Sequence, residues 1–174
     1  MSIVVVERSF AEPVEFDGVL APELAECMRR RGVRASYSLL SRDRHHLVCV
    51  HEAPDAESVR VTQDEHGLPY VRVWSAAPLA VPQAVSDPRY ELIVVQRELP
   101  EPISRELAEL AARDPDGCHR RNRCTLLASL ISLDGRQLLC RYSAPDAEAV
   151  RNANVQAAVP FTRAWVATVI GEVG

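Results

Sequence analysis

Long apolar runs, a strong net charge of either sign and the usual catalytic signatures are all missing from this 174-residue chain. No stretch approaches the roughly 20 apolar residues that a membrane-crossing helix needs, so no membrane partner is expected. The formal charge of −4 gives no positive field to attract nucleic acid or an anionic lipid surface. No Ser-His-Asp order, glycine-rich phosphate loop, paired C-x-x-C or H-E-x-x-H is present, and nothing in the chain compels an enzyme. The opening "MSIVVVERSF" is a short apolar run broken by Glu7 and Arg8, which reads as a β-strand and not as a signal peptide. The five cysteines are an odd number and read as reduced thiols packed as small hydrophobes. A cytoplasmic location is the matching expectation.

Present instead is a repeated sentence. "SLLSRDRHHLVCVHEAPDAESVRVTQDEHGLPYVRVW" (38–74) aligns without a gap on "SLISLDGRQLLCRYSAPDAEAVRNANVQAAVPFTRAW" (129–165), with about sixteen of thirty-seven positions identical. "IVVVERSFAEPV" (3–14) likewise lies over "LIVVQRELPEPI" (92–103). Such agreement marks a duplication. The organisation expected is a first repeat over 1–77, a proline-rich linker over 78–89 and a second repeat over 90–172.

Each copy carries the same signals in the same order. "IVVVER" and "LIVVQR" are β-branched runs that predict buried strands. Leu20, Leu24, Cys27 and Met28, and then Ile103, Leu107, Leu110 and Ala111, recur at helical spacing. Gly32 is placed to stop the first of these helices. "VRASYSLLS" with "HLVCVHE", and "TLLASLIS" with "QLLCRYS", read as pairs of strands joined by tight turns, the Asp134-Gly135 pair being the stronger turn signal. In "APDAESVR" and "APDAEAVR" the proline ends a strand and Asp55 or Asp146 caps a new helix. "YVRVWSA" and "FTRAWVA" close each copy as fourth strands.

The order is βαββαβ twice. The fold expected is α+β: two tandem ferredoxin-like units, each a four-stranded antiparallel sheet with both helices on one face. One unit leaves its other sheet face bare, so the expectation extends to two sheets packed together as an intrachain pseudo-dimer, with a monomer or a homodimer as the assembly.

The set "VVERSF", "SYSLLSRD", "CVHEAPDAESVR" and "GLPYVRVW", with "CRYSAPDAEAVRNANVQAAVPFTRAW" in the second copy, resembles the family of domains of unknown function numbered 4242. That resemblance implies a ferredoxin-like sandwich, usually dimeric, and a nickel-binding role in part of the family. Many relatives place a histidine just before the serine of the second strand; here Tyr37 and Ala128 stand there.

Three places could carry chemistry. Alternation along the third strand puts His45, Cys49 and His51 on one face, a soft ligand set for nickel or another transition metal. Glu7, Tyr37, Arg72 and Trp74 are candidates to line a ligand cavity, since proton-moving or metal-binding groups concentrate in the first copy: Gln96, Ala128, Arg136 and Tyr142 stand where it has Glu7, Tyr37, His45 and His51. Finally "CHRRNRC" (118–124) reads as a solvated basic loop, whose arginines could hold a phosphate or carboxylate and whose Cys118, His119 and Cys124 match no recognised zinc spacing. The function expected is binding of a small molecule or a transition-metal ion. The alternatives are a small cofactor-independent enzyme acting on a hydrophobic substrate between the two sheets, and an interaction module.

Overall fold

The computed structural model describes residues 1–171; Glu172, the last residue assigned above to the second repeat, lies outside them. The described residues divide into two units, Met1–Ala76 with 168–171, and Ala77–Ala167.

In the first unit β1 (Ser2–Ser9) leads to α1 (Pro22–Arg30), β2 (Arg34–Ser41), β3 (His46–Ala53), α2 (Ala56–Glu65) and β4 (Arg72–Pro78). Antiparallel pairing gives the strand order β4-β1-β3-β2, with Val4 opposite His51 and Val6 opposite Cys49. The second repeat has the same order, with β5 (Glu91–Glu98), α3 (Arg105–Ala112), β6 (Thr125–Ser132), β7 (Gln137–Ala144), α5 (Ala147–Gln156) and β8 (Arg163–Ile170), paired as β8-β5-β7-β6. Both copies of β2 and β6 carry a bulge at the same place, between Ala35 and Tyr37 and between Leu126 and Ala128. Two tandem α+β halves of ferredoxin-like order are therefore what the duplication encodes.

The shared phrase does the expected backbone work. Asp55 accepts from the Ser58 amide, at 2.7 Å, and Asp146 from the Ala149 amide, at 2.8 Å, each capping its helix. Gly32, at φ +67°, follows α1 in the left-handed conformation, and its amide donates to the Arg29 carbonyl.

The helices start later than their apolar spacing predicts. Leu20 lies before α1, because Pro22 sets φ at the first turn; Ile103 lies before α3, because Ser104 caps it by accepting from the Leu107 amide. The second difference is an extra turn of helix, α4 (Cys118–Arg121), where a solvated loop is expected. Gly117 enters it at φ +66°, and the Asp114 carboxylate accepts from the amides of His119 (3.1 Å) and Arg120 (3.0 Å). Both flanking cysteines are buried, Cys118 at 3 % exposure and Cys124 at 5 %.

The repeats thus invest their loop residues differently. The first spends twelve residues between β1 and α1 (10–21) and three between α1 and β2 (31–33). The second spends six (99–104) and then twelve (113–124) at the same junctions. In each unit the helices cover one sheet face: Val4, Val6, Leu47, Cys49, Met28 and Val59 form one packed cluster, and Ile93, Val95, Leu138, Cys140, Tyr142 and Val150 form its counterpart. Among the described residues no helix is long and apolar enough to cross a membrane.

Candidate functional site

The helix-covered face of the first unit is incompletely filled. A cavity of about 520 Å³ lies against it, lined by Leu47, Cys49 and His51 of β3, by Leu24 and Met28 of α1, and by the long 10–21 loop with Phe10 and Phe16. A volume of this size falls in the range of small-molecule sites. Gly18 of that loop turns at φ +87°, and a Cβ there would stand 2.7 Å from the Ile170 side chain, so the loop closes tightly on the cavity.

His51 is the chemically distinctive wall residue. It is only 6 % exposed, and neither ring nitrogen has a hydrogen-bond partner among the described residues. Buried polar groups are nearly always paired, because an unpaired one loses its water without replacement. Burial, with the nearby Arg8 guanidinium adding to it, lowers the His51 pKa to about 4. At neutral pH the ring is therefore an uncharged imidazole with one N–H donor and one lone pair. Arg8 is itself held, donating to the Pro69 carbonyl and the Gln63 side chain.

The structure divides the seven residues singled out from the sequence. Cys49 and His51 line the cavity together. His45 does not join them: it lies at the start of the strand, six residues from His51, which is on the order of 20 Å of extended chain. Its Nδ1 lies 2.9 Å from the Phe10 carbonyl oxygen. Among the described residues no three His, Cys, Asp or Glu side chains gather as a metal would require. Two donors do not complete a nickel shell, so the residues present do not fit a nickel site built from protein ligands alone.

Of the other four, three lie away from the cavity. Register pairs Glu7 with Arg72, Val5 with Trp74 and Tyr37 with Val50, which assigns all four to the sheet face away from the helices. Of them only Tyr37 also lines the cavity. The Trp74 indole N–H donates to the Glu7 carboxylate at 2.7 Å, and Trp165 donates to the Gln96 side-chain oxygen at 2.9 Å. Either side chain supplies the needed acceptor, which explains why the exchange of Glu7 for Gln96 is tolerated between copies.

Arg8 and Gln63 were not singled out from the sequence, although a signal existed. An arginine closes both "VVER" and "VVQR", and its second copy, Arg97, makes the same contacts: to the Pro160 carbonyl and the Asn154 side chain, both at 2.7 Å. Arg97 also approaches the Tyr142 hydroxyl at 3.5 Å. Tyr142 occupies the position of His51, and the ring of His119 stacks on it at 5.3 Å with the planes 8° apart. The corresponding cavity shrinks to about 220 Å³. In this repeat burial pushes the Cys124 thiol up to about 12, so it stays protonated and is a poor metal ligand.

Two solved structures align with nearly the whole chain at low identity. A candidate monooxygenase from Lactobacillus acidophilus NCFM matches 99 % of this chain and 96 % of its own, at 6 % identity and a TM-score of 0.44. Another from Fusobacterium nucleatum subspecies nucleatum matches 97 % and 92 %, at 10 % identity and a TM-score of 0.44. No curated protein matches the chain. A family model does match, once per repeat, over residues 5–75 and 94–166. These two segments cover most of the β1-to-β4 and β5-to-β8 frameworks, and by them the chain belongs to the SCO4226-like family of nickel-responsive proteins.

Proposed function

We propose that the first repeat is a binding module for a small, mainly apolar molecule carrying one hydrogen-bonding group. The observation that carries this reading is His51: a neutral imidazole on the wall of a cavity of about 520 Å³, with both nitrogens unpartnered among the described residues. A ligand hydroxyl or carbonyl there would satisfy a group whose burial is otherwise uncompensated, and the apolar walls would gain by losing water. At the corresponding place the second repeat keeps the arginine clamp and carries Tyr142, a larger ring, instead of the histidine.

Nickel is the competing reading, favoured by the family's name and by the Cys49–His51 pair. The donor count opposes it, since a metal held there would draw most of its ligands from outside the protein.

Calorimetric titration of the whole chain with 1-octanol, indole and Ni²⁺ separates the two. The expected result is saturable binding of an organic probe, weakened about tenfold in His51→Phe, a loss equal to one hydrogen bond to a buried group. Saturable nickel binding abolished by both His51→Phe and Cys49→Ala, with no organic probe bound, would establish the metal reading in its place.

A further inference from the structure

The second repeat has a further cavity at the edge of its sheet–helix core, adjoining the smaller one at His119 and Tyr142, and part of its wall is the segment that reads in sequence as a solvated basic loop. It measures about 380 Å³ and brings Arg113, Arg120 and Arg123 to one concavity with His119, Tyr142 and Leu126. We propose that this cavity binds a small organic carboxylate that also bears a hydroxyl group.

The arginines supply the charge. Arg121 is already engaged, donating to the Asp116 carbonyl at 2.6 Å and to the Cys118 sulfur at 3.3 Å. Arg120 and Arg123 both line the cavity, and among the described residues neither guanidinium makes such a hydrogen bond or ion pair. A planar guanidinium matches a carboxylate through two parallel N–H donors. The one carboxylate in the wall does not compete for them. Asp114 accepts from the His119 amide, the Arg120 amide and His119 Nδ1 (3.2 Å). Burial alone would raise the Asp114 pKa, and these hydrogen bonds outweigh it and hold the group ionised.

The hydroxyl requirement comes from His119. Nδ1 is engaged with the Asp114 carboxylate, which leaves Nε2 as the ring's one remaining polar atom. That atom is buried and has no hydrogen-bond partner among the described residues. A hydroxyl on the ligand can donate to or accept from this atom, and so supplies the partner it lacks. Stacking on Tyr142 and the Asp114 bond fix the ring from two sides, so Nε2 is held in place before any ligand arrives. Tyr90, Pro82 and Leu126 give the carbon skeleton an apolar wall.

The test is calorimetry on the whole chain at constant ionic strength with matched pairs, lactate against propionate and 4-hydroxybenzoate against benzoate, and with inorganic phosphate. In at least one pair the hydroxylated member is expected to bind saturably and about tenfold tighter than its partner, the value of one hydrogen bond to a buried group. The exposed-site variant R120Q/R123Q should weaken both members of that pair about tenfold or more. His119→Phe should erase the preference while leaving carboxylate binding measurable. His51→Phe should change nothing, which keeps this site distinct from the one in the first repeat. The proposal is overturned if no carboxylate saturates, if R120Q/R123Q binds as the parent does, if the paired acids bind alike, or if phosphate binds as tightly as the preferred acid. Circular dichroism on each variant identifies any loss of fold, and the arginine variant decides the question if His119→Phe does not fold.

Discussion

Set side by side, the two repeats show one framework with two different fillings. Arg8 with Gln63 and Pro69, and Arg97 with Asn154 and Pro160, are the same clamp tying the end of the first strand to the second helix and the loop that follows it. Beside that clamp the first repeat carries a small ring with no hydrogen-bond partner among the described residues, and the second a larger ring whose hydroxyl lies within reach of the arginine and which His119 covers. The cavity is about 520 Å³ in one case and about 220 Å³ in the other. In the second copy a larger side chain occupies the position of His51, and the longer loop lies behind the first helix and not in front of it.

The comparison breaks most visibly at Tyr142. Truncation to Ala removes a buried aromatic ring and the stacking partner of His119, and should cost about 3–5 kcal/mol in chemical denaturation. His51→Ala, at a wall already facing open volume, should cost far less. Equal losses would mean that the two positions are equivalent packing sites and that the cavity contrast has no energetic meaning.

A smaller effect sharpens the contrast through pH. The folded-state pKa of His51, about 4, lies below the ordinary 6.5, so between these values the unfolded chain binds a proton that the folded chain refuses. Stability from this residue is complete above about pH 6.5 and falls as the pH drops through 4, by roughly 3 kcal/mol over the full window. On acidification the urea midpoint of the parent should therefore fall relative to that of His51→Phe, because carboxylate contributions are common to both. Parallel curves would show that the ring is not desolvated. Tyr142 offers no such dependence, since burial moves its hydroxyl further above neutral pH.

The smallest effects should be the same in both halves. Asp55→Ala and Asp146→Ala each remove one helix cap and should each cost about 1 kcal/mol. A large difference between them would show that even the shared punctuation has diverged.

Sequence alone made much of the fold legible, because its signals are local. An aspartate caps the helix it precedes, a proline ends the strand it follows, and β-branched runs form strands wherever they sit in the chain. The site was legible in part. Alternation along β3 correctly places Cys49 and His51 on one face, and the same argument includes His45 without revealing that a strand's length separates it from His51. The 118–124 segment was opaque for a different reason: Cys118, Asp114 and the arginines look solvated until a turn of helix buries the first and aims the rest.

What the sequence determined by itself is the duplicated βαββαβ order and the starts of α2 and α5, since these depend on neighbours a few residues away. What only the tertiary structure decided is which repeat keeps an open cavity. That outcome rests on Tyr142 meeting His119 across 23 residues of chain and on Arg97 meeting Asn154 across 57. Burial and packing are properties of volume shared among distant segments, and no local pattern records them.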